Sequence, residues 1–134
     1  MQPRLGIYIH IPFCASKCGY CDFYSCAGAA ERMAEYQQAL LEHIEESAGR
    51  IAPAYIDTVY FGGGTPSLLL PAQIAQILET AAEQFALSAD AEITLEANPA
   101  TVTPEQLREL RHAGINRLSL GVQSLSDAQL KRLG

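Results

Sequence analysis

Short β-branched runs alternate with amphipathic stretches four times along the chain, and that alternation is what narrows the fold. Leu5 to Ile11 reads as a first strand stopped by Pro12. From Glu31 to about Ser47, Met33, Tyr36, Leu40, Leu41 and Ile44 recur at helical spacing. Ile56 to Phe61 is a second strand, ended by Gly62-Gly63-Gly64. Pro71 to Phe85 is a second helix, with Ile74, Ile77, Leu78, Ala81 and Phe85 on one face. Glu92 to Ala97 is a third strand, stopped by Asn98-Pro99. Thr103-Pro104-Glu105-Gln106 has the form of a capping box with proline at the first helical position, and Gly114 marks the stop. Arg117 to Val122 is a fourth strand, and Ser126 caps a helix that has scarcely begun at Gly134.

Four βα units in series predict parallel strands with right-handed crossovers. The unusual residues fall where strands end: the cysteines, the glycine run, Glu96 and Gln123. That C-terminal rim is where α/β barrels and open sheets build their chemistry. Four strands do not close a barrel of the usual size, so the expectation is a partial (β/α) TIM-type barrel with an unpaired last edge. On this reading residues 1–134 are the N-terminal part of one longer core domain.

Directly after the first strand, Cys14, Cys18 and Cys21 lie in IPFCASKCGYCDFYS. The C-x3-C-x2-C spacing offers three thiolates from one loop, with no fourth cysteine at the next matching step. A [4Fe-4S] cube held that way keeps one iron open to a small molecule. Structural zinc is the competing reading, but it wants four protein ligands, and His10 or Cys26 as the fourth has no finger or ribbon spacing. A disulfide or unrelated buried thiols are further alternatives. Cys26 itself reads as a small buried hydrophobe.

A net charge of −6 argues against nucleic acid or an anionic membrane as partner. No apolar run is long enough to span a bilayer, and the N-terminal stretch lacks a signal-peptide pattern, so a cytoplasmic protein is expected.

The other rim residues are individually weaker. Phe13 and Tyr20 flank the cysteines, either shielding a cluster or simply packing. Tyr8 and His10, two apart on the first strand, share a face and line a pocket or sit satisfied in a core. Gly62-Gly63-Gly64-Thr65-Pro66-Ser67 lacks the lysine of a phosphate loop; its glycines bring backbone N–H groups close to a ligand or serve a tight turn. Glu96 is the sole charge near the end of its strand, and inside a barrel mouth it needs a partner. Gln123 and Ser124 bond a polar ligand or only cap a loop.

Together, YIHIPFC-x3-C-x2-C, FGGGTPS, EANP and RLSLGVQS resemble radical S-adenosylmethionine (SAM) proteins in order and spacing. The similarity is to the oxygen-independent coproporphyrinogen III oxidase group, and most to its haem chaperone branch, HemW. The resemblance implies a [4Fe-4S] cluster on Cys14, Cys18 and Cys21, with SAM chelating the open iron. It implies that Tyr8, Gly63, Gly64, Thr65, Glu96 and Gln123 line the SAM site, with Tyr20 close to the cofactor. It implies cleavage of SAM to methionine and a 5′-deoxyadenosyl radical. Phe23 stands where the decarboxylating oxidases have a further cysteine, which turns the expectation towards haem binding and transfer to an acceptor protein. The alternatives are coproporphyrinogen III dehydrogenase and a non-catalytic, zinc-stabilised α/β fragment. No catalytic residue is singled out, and the haem-binding region is expected beyond Gly134.

Overall fold

The structure is a computed structural model that describes residues 3–28, 30–51 and 53–134. Strand β1 (Arg4–Ile11) puts Ile9 and Ile11 in the core, while Tyr8 and His10 point to the opposite face. Two short strands, β2 (Phe13–Cys14) and β3 (Cys26–Ala27), bracket the cysteine loop. A single 3-10 turn, Ala30–Arg32, leads into α1 (Met33–Arg50). Then follow β4 (Tyr55–Gly63), α2 (Pro71–Gln84), β5 (Ala86–Ala97), α3 (Pro104–Ala113), β6 (Arg117–Leu120) and α4 (Asp127–Leu133).

The main sheet has the order β1-β4-β5-β6, and every neighbouring pair is parallel. Strands laid down in sequence order keep winding in one direction, so their helices gather on one face, as in a barrel wall. One core lies between that face and the helices. Ile11, Ile56, Val59, Phe61 and Leu95 from the strands meet Leu41, Ile44, Ile74, Ile77, Ala81 and Leu110 from the helices. Burying each large aliphatic or aromatic side chain there contributes about 1.5–3 kcal/mol. The opposite face carries Tyr8, His10, Tyr60 and Glu96 and is the inner surface of the barrel segment.

The βα alternation predicted from sequence is present, with differences in extent: α1 runs from Met33 to Arg50 instead of Glu31 to about Ser47, and β4 continues through Gly62 and Gly63 instead of ending before them. β5 starts six residues earlier than Glu92. Leu87 pairs with Ile56 and Glu92 with Thr58, so residues 88–91 bulge opposite Asp57 alone. Tyr55 Oη donates to Ser88 Oγ at 2.7 Å, which satisfies polar residues whose composition resembled a loop. β6 stops at Leu120, two residues short of Val122.

Candidate metal centre and ligand cavity

Pairing of β2 with β3 is parallel, and the Cys26 N–H donates to the Pro12 carbonyl at 2.7 Å. The loop from Cys14 to Cys26 is thereby stapled at both ends. Within it the Cys21 N–H donates to the Cys18 carbonyl at 3.0 Å, a turn that brings those two residues round together. Cys14, Cys18 and Cys21 are half-buried free thiols. Among the described residues, no three His, Cys, Asp or Glu side chains are grouped to close on a single metal ion. Zinc draws its sulfur ligands to about 2.3 Å from one point, whereas an iron–sulfur cube takes them at separate corners. Cys26 departs from its reading as a buried hydrophobe. It is exposed on the short strand β3, and its Sγ donates to the Pro12 carbonyl at 3.2 Å.

His10 and Tyr8 lie on the inner face of β1. His10 Nε2 is 2.8 Å from the Tyr24 carbonyl, and Nδ1 is 3.0 Å from Tyr8 Oη. A carbonyl only accepts, so the proton sits on Nε2; in the neutral ring Nδ1 then accepts from the tyrosine. Tyr36 of α1 donates to the His10 carbonyl. Tyr8 in turn stacks on Tyr60, with centroids 6.1 Å apart.

The end of β4 must be glycine because other groups already occupy the space. A Cβ on Gly63 would lie 2.8 Å from His10 Cε1, and its φ of +118° already disfavours any side chain. One on Gly64 would lie 2.5 Å from the Phe13 carbonyl oxygen and 3.0 Å from Cys14 Sγ. The N–H groups of this turn are not free for a ligand. Gly63 donates to Glu96 Oε2 at 3.2 Å, Gly64 to the Ile11 carbonyl at 2.8 Å and Thr65 to the Phe13 carbonyl at 2.7 Å. The glycines therefore serve close approach to the cysteine strand, and acceptor oxygens are what the turn can offer. The Thr65 hydroxyl donates to Cys14 Sγ at 3.6 Å.

Glu96 is half-buried and paired. Its Oε1 accepts from Tyr60 Oη at 2.7 Å, and its Oε2 accepts from Gly63. The carboxylate and partial desolvation together raise the Tyr60 pKa above the ordinary tyrosine value. Gln123 has a φ of 59°, an uncommon conformation for a residue with a side chain, and its Nε2 lies where a Cβ on Gly121 would crowd it.

A cavity of about 310 Å³ opens at this rim. Cys14, Cys18, Cys21, Tyr20, Gly63, Gly64, Thr65, Glu96 and Gln123 all line it. Tyr8 lies outside that lining, one step behind it through its stacking on Tyr60. Sequence reasoning missed Lys17, Asn98 and Ser119, which also line the cavity. Ser119 was recoverable from alternation, since it pairs with Glu96 across β5 and β6. Nothing in the sequence alone marked Tyr60 as the partner of Glu96.

A family model described as the radical SAM superfamily matches residues 8–134. The chain belongs to that superfamily. The radical SAM relatives include the haem chaperone HemW of Escherichia coli K12, 44% identical over 133 residues. HemW of Mycobacterium tuberculosis H37Rv is 40% identical over 135 residues. The mitochondrial radical S-adenosyl methionine domain-containing protein 1 of Mus musculus is 38% identical over 131 residues. Each alignment takes in 98% of this chain but only 35%, 34% and 30% of the respective relative. The chain thus spans about a third of their length. Among solved structures, the radical SAM enzyme coproporphyrinogen III oxidase (HemN) from Escherichia coli superimposes with a TM-score of 0.90 at 33% identity. That match covers 98% of this chain and 30% of the other. The four parallel βα units are accordingly a partial barrel of the radical SAM fold.

The residues present suit an iron–sulfur cube. Three free thiols from one loop face a cavity, the turn beside them has given up its side chains, and a hydroxyl donates to one sulfur. Hydrogen bonds to sulfur are among the means by which proteins tune such clusters.

Proposed function

We propose that Cys14, Cys18 and Cys21 hold a [4Fe-4S] cluster and that SAM binds beside it in the cavity they share with the glycine turn, Glu96 and Gln123. The convergence of these residues on one space carries the reading. When bound, the reduced cluster would supply the electron that cleaves the sulfonium of SAM. The chain's own contributions are positional. The turn at Gly63–Thr65 presents acceptor oxygens to an ammonium, Glu96 braces that turn from β5, and Tyr20 gives the cavity an aromatic wall. Tyr8 acts from behind through Tyr60.

The full-length protein would be a cytoplasmic haem chaperone that binds haem and passes it to an acceptor protein, its barrel completed by strands that follow Gly134. Support comes from relatives named as haem chaperones and from Phe23, a lining residue of the cavity, at the position where the family resemblance gives the decarboxylating oxidases a further cysteine. Anaerobic reconstitution of the full-length protein should give about four irons per chain with visible cluster absorption. Replacing any one of the three cysteines by Ala should abolish it. Unchanged spectra in all three variants overturn the cluster assignment, and stoichiometric zinc without sulfide replaces it. For haem, stable binding and transfer to an apo-acceptor are expected. Conversion of coproporphyrinogen in the presence of SAM and a reductant would instead make the protein an oxidase.

A further inference from the structure

We infer that His10 is a positioning residue that fixes the arm of the cysteine loop between Cys21 and Cys26, by donating its Nε2–H to the Tyr24 carbonyl. The inference rests on the reading that this loop carries the cluster.

The arm from Asp22 to Ser25 has no regular structure. Its ties are unequal. Lys17 Nζ and Ser25 Oγ both reach the Phe23 carbonyl at 3.4 Å, and both belong to the loop itself, so they move with it. The His10 bond, at 2.8 Å, is the side-chain hydrogen bond among the described residues that joins this arm to the main sheet.

His10 is in turn held at both its ring and its backbone. Tyr8 donates to Nδ1, which keeps the proton on Nε2, and Tyr36 donates to the His10 carbonyl. Gly63 packs close to the ring: a Cβ there would meet Cε1 at 2.8 Å and Nδ1 at 2.9 Å, as well as the Ile11 carbonyl oxygen at 2.9 Å. The bare backbone at Gly63 leaves room for this ring, an observation independent of the hydrogen bond. Tyr24 sits three residues beyond Cys21, so the donated bond limits where that thiol can go. A cluster held by only three protein ligands depends on each of them staying in place.

The two nitrogens separate positioning from packing. In His10→Gln the amide nitrogen reaches about as far as Nε2 and keeps the donor. In His10→Asn it reaches only as far as Nδ1 and falls short of Tyr24. In the full-length apoprotein, trypsin cleavage after the exposed Lys17 reports on the loop without any cluster. The Asn variant should be cut about three- to tenfold faster than wild type, the equivalent of losing one ordinary hydrogen bond. The Gln variant should stay near wild type, and the denaturant midpoints of the two variants should agree. After anaerobic reconstitution, iron loss to a chelator should follow the same order. Equal cleavage of Asn, Gln and wild type, or equal acceleration of both variants, overturns the inference. If cleavage ranks as expected while the wild type takes up no cluster, the clasp stands and the cluster reading alone fails.

Discussion

At Gly64 a single methyl group has nowhere to go. The atoms it would strike are the Phe13 carbonyl oxygen and Cys14 Sγ, and the first is backbone, which cannot swing aside. Gly64→Ala should therefore cost about 1–3 kcal/mol as overpacking and loosen the cysteine strand from the turn, measured as a lowered denaturant midpoint. Tyr60 and Glu96 make a second residue-scale case. The Tyr60 pKa is raised in the folded protein, mainly by the hydrogen bond to Glu96. Below the unfolded tyrosine value, near pH 10, that stabilisation is complete; it is lost as pH climbs through the folded value. Stability should thus fall above about pH 10. Glu96→Gln removes the charge that raises Tyr60, so the decline above about pH 10 should be smaller and finish at lower pH, with its onset at the unfolded tyrosine value unchanged. The same variant should also lose about 1–3 kcal/mol near neutrality, because one of the two oxygens that accept from Tyr60 and Gly63 becomes an NH2 donor. An identical pH profile in urea titrations of both proteins would contradict this.

The helices owe their positions to different devices. α3 opens with a reciprocal cap. Thr103 Oγ1 accepts from the Gln106 N–H at 3.2 Å, and Gln106 Oε1 accepts from the Thr103 N–H at 3.0 Å. Thr103→Ala should cost about 1 kcal/mol, read as a lower midpoint with the same denaturant slope. α1 and α2 are joined by an amide relay in which Gln73 donates to Gln37 and Gln37 donates to Gln76, both at 2.7 Å. Ile77, fully buried on α2, should cost about 2–5 kcal/mol when cut to Ala. The cap on α3 and the apolar face of α2 were legible in sequence, since both depend on local spacing. The amide relay was not, because its partners stand 36 and 39 residues apart and only helix packing makes them neighbours.

Across the whole molecule, finish is uneven. β1 and β6 are both edges of the sheet, and Leu118, Leu120, Val122, Leu125 and Leu130 are exposed around β6 and α4, Leu125 to 95%. Unpaired parallel edges flanked by apolar surface favour association. Expressed as these 134 residues alone, the chain should self-associate, and Leu120→Lys with Leu125→Lys should raise the monomer fraction seen by light scattering. A monodisperse monomer without those changes would mean that the edges protect themselves.

Local chemistry wrote the alternation of strand and helix, the capped start of α3 and the three thiols on one loop, because each depends on residues only a few positions apart. What those residues face was decided in three dimensions. Parallel register put Glu96 beside Tyr60 and the glycine turn, the crossing of chain segments at Gly63 and Gly64 explained why neither tolerates a side chain, and Cys26 came to lie in solvent on β3. A contact between distant residues is a property of the register that joins them, and no short window of sequence contains it.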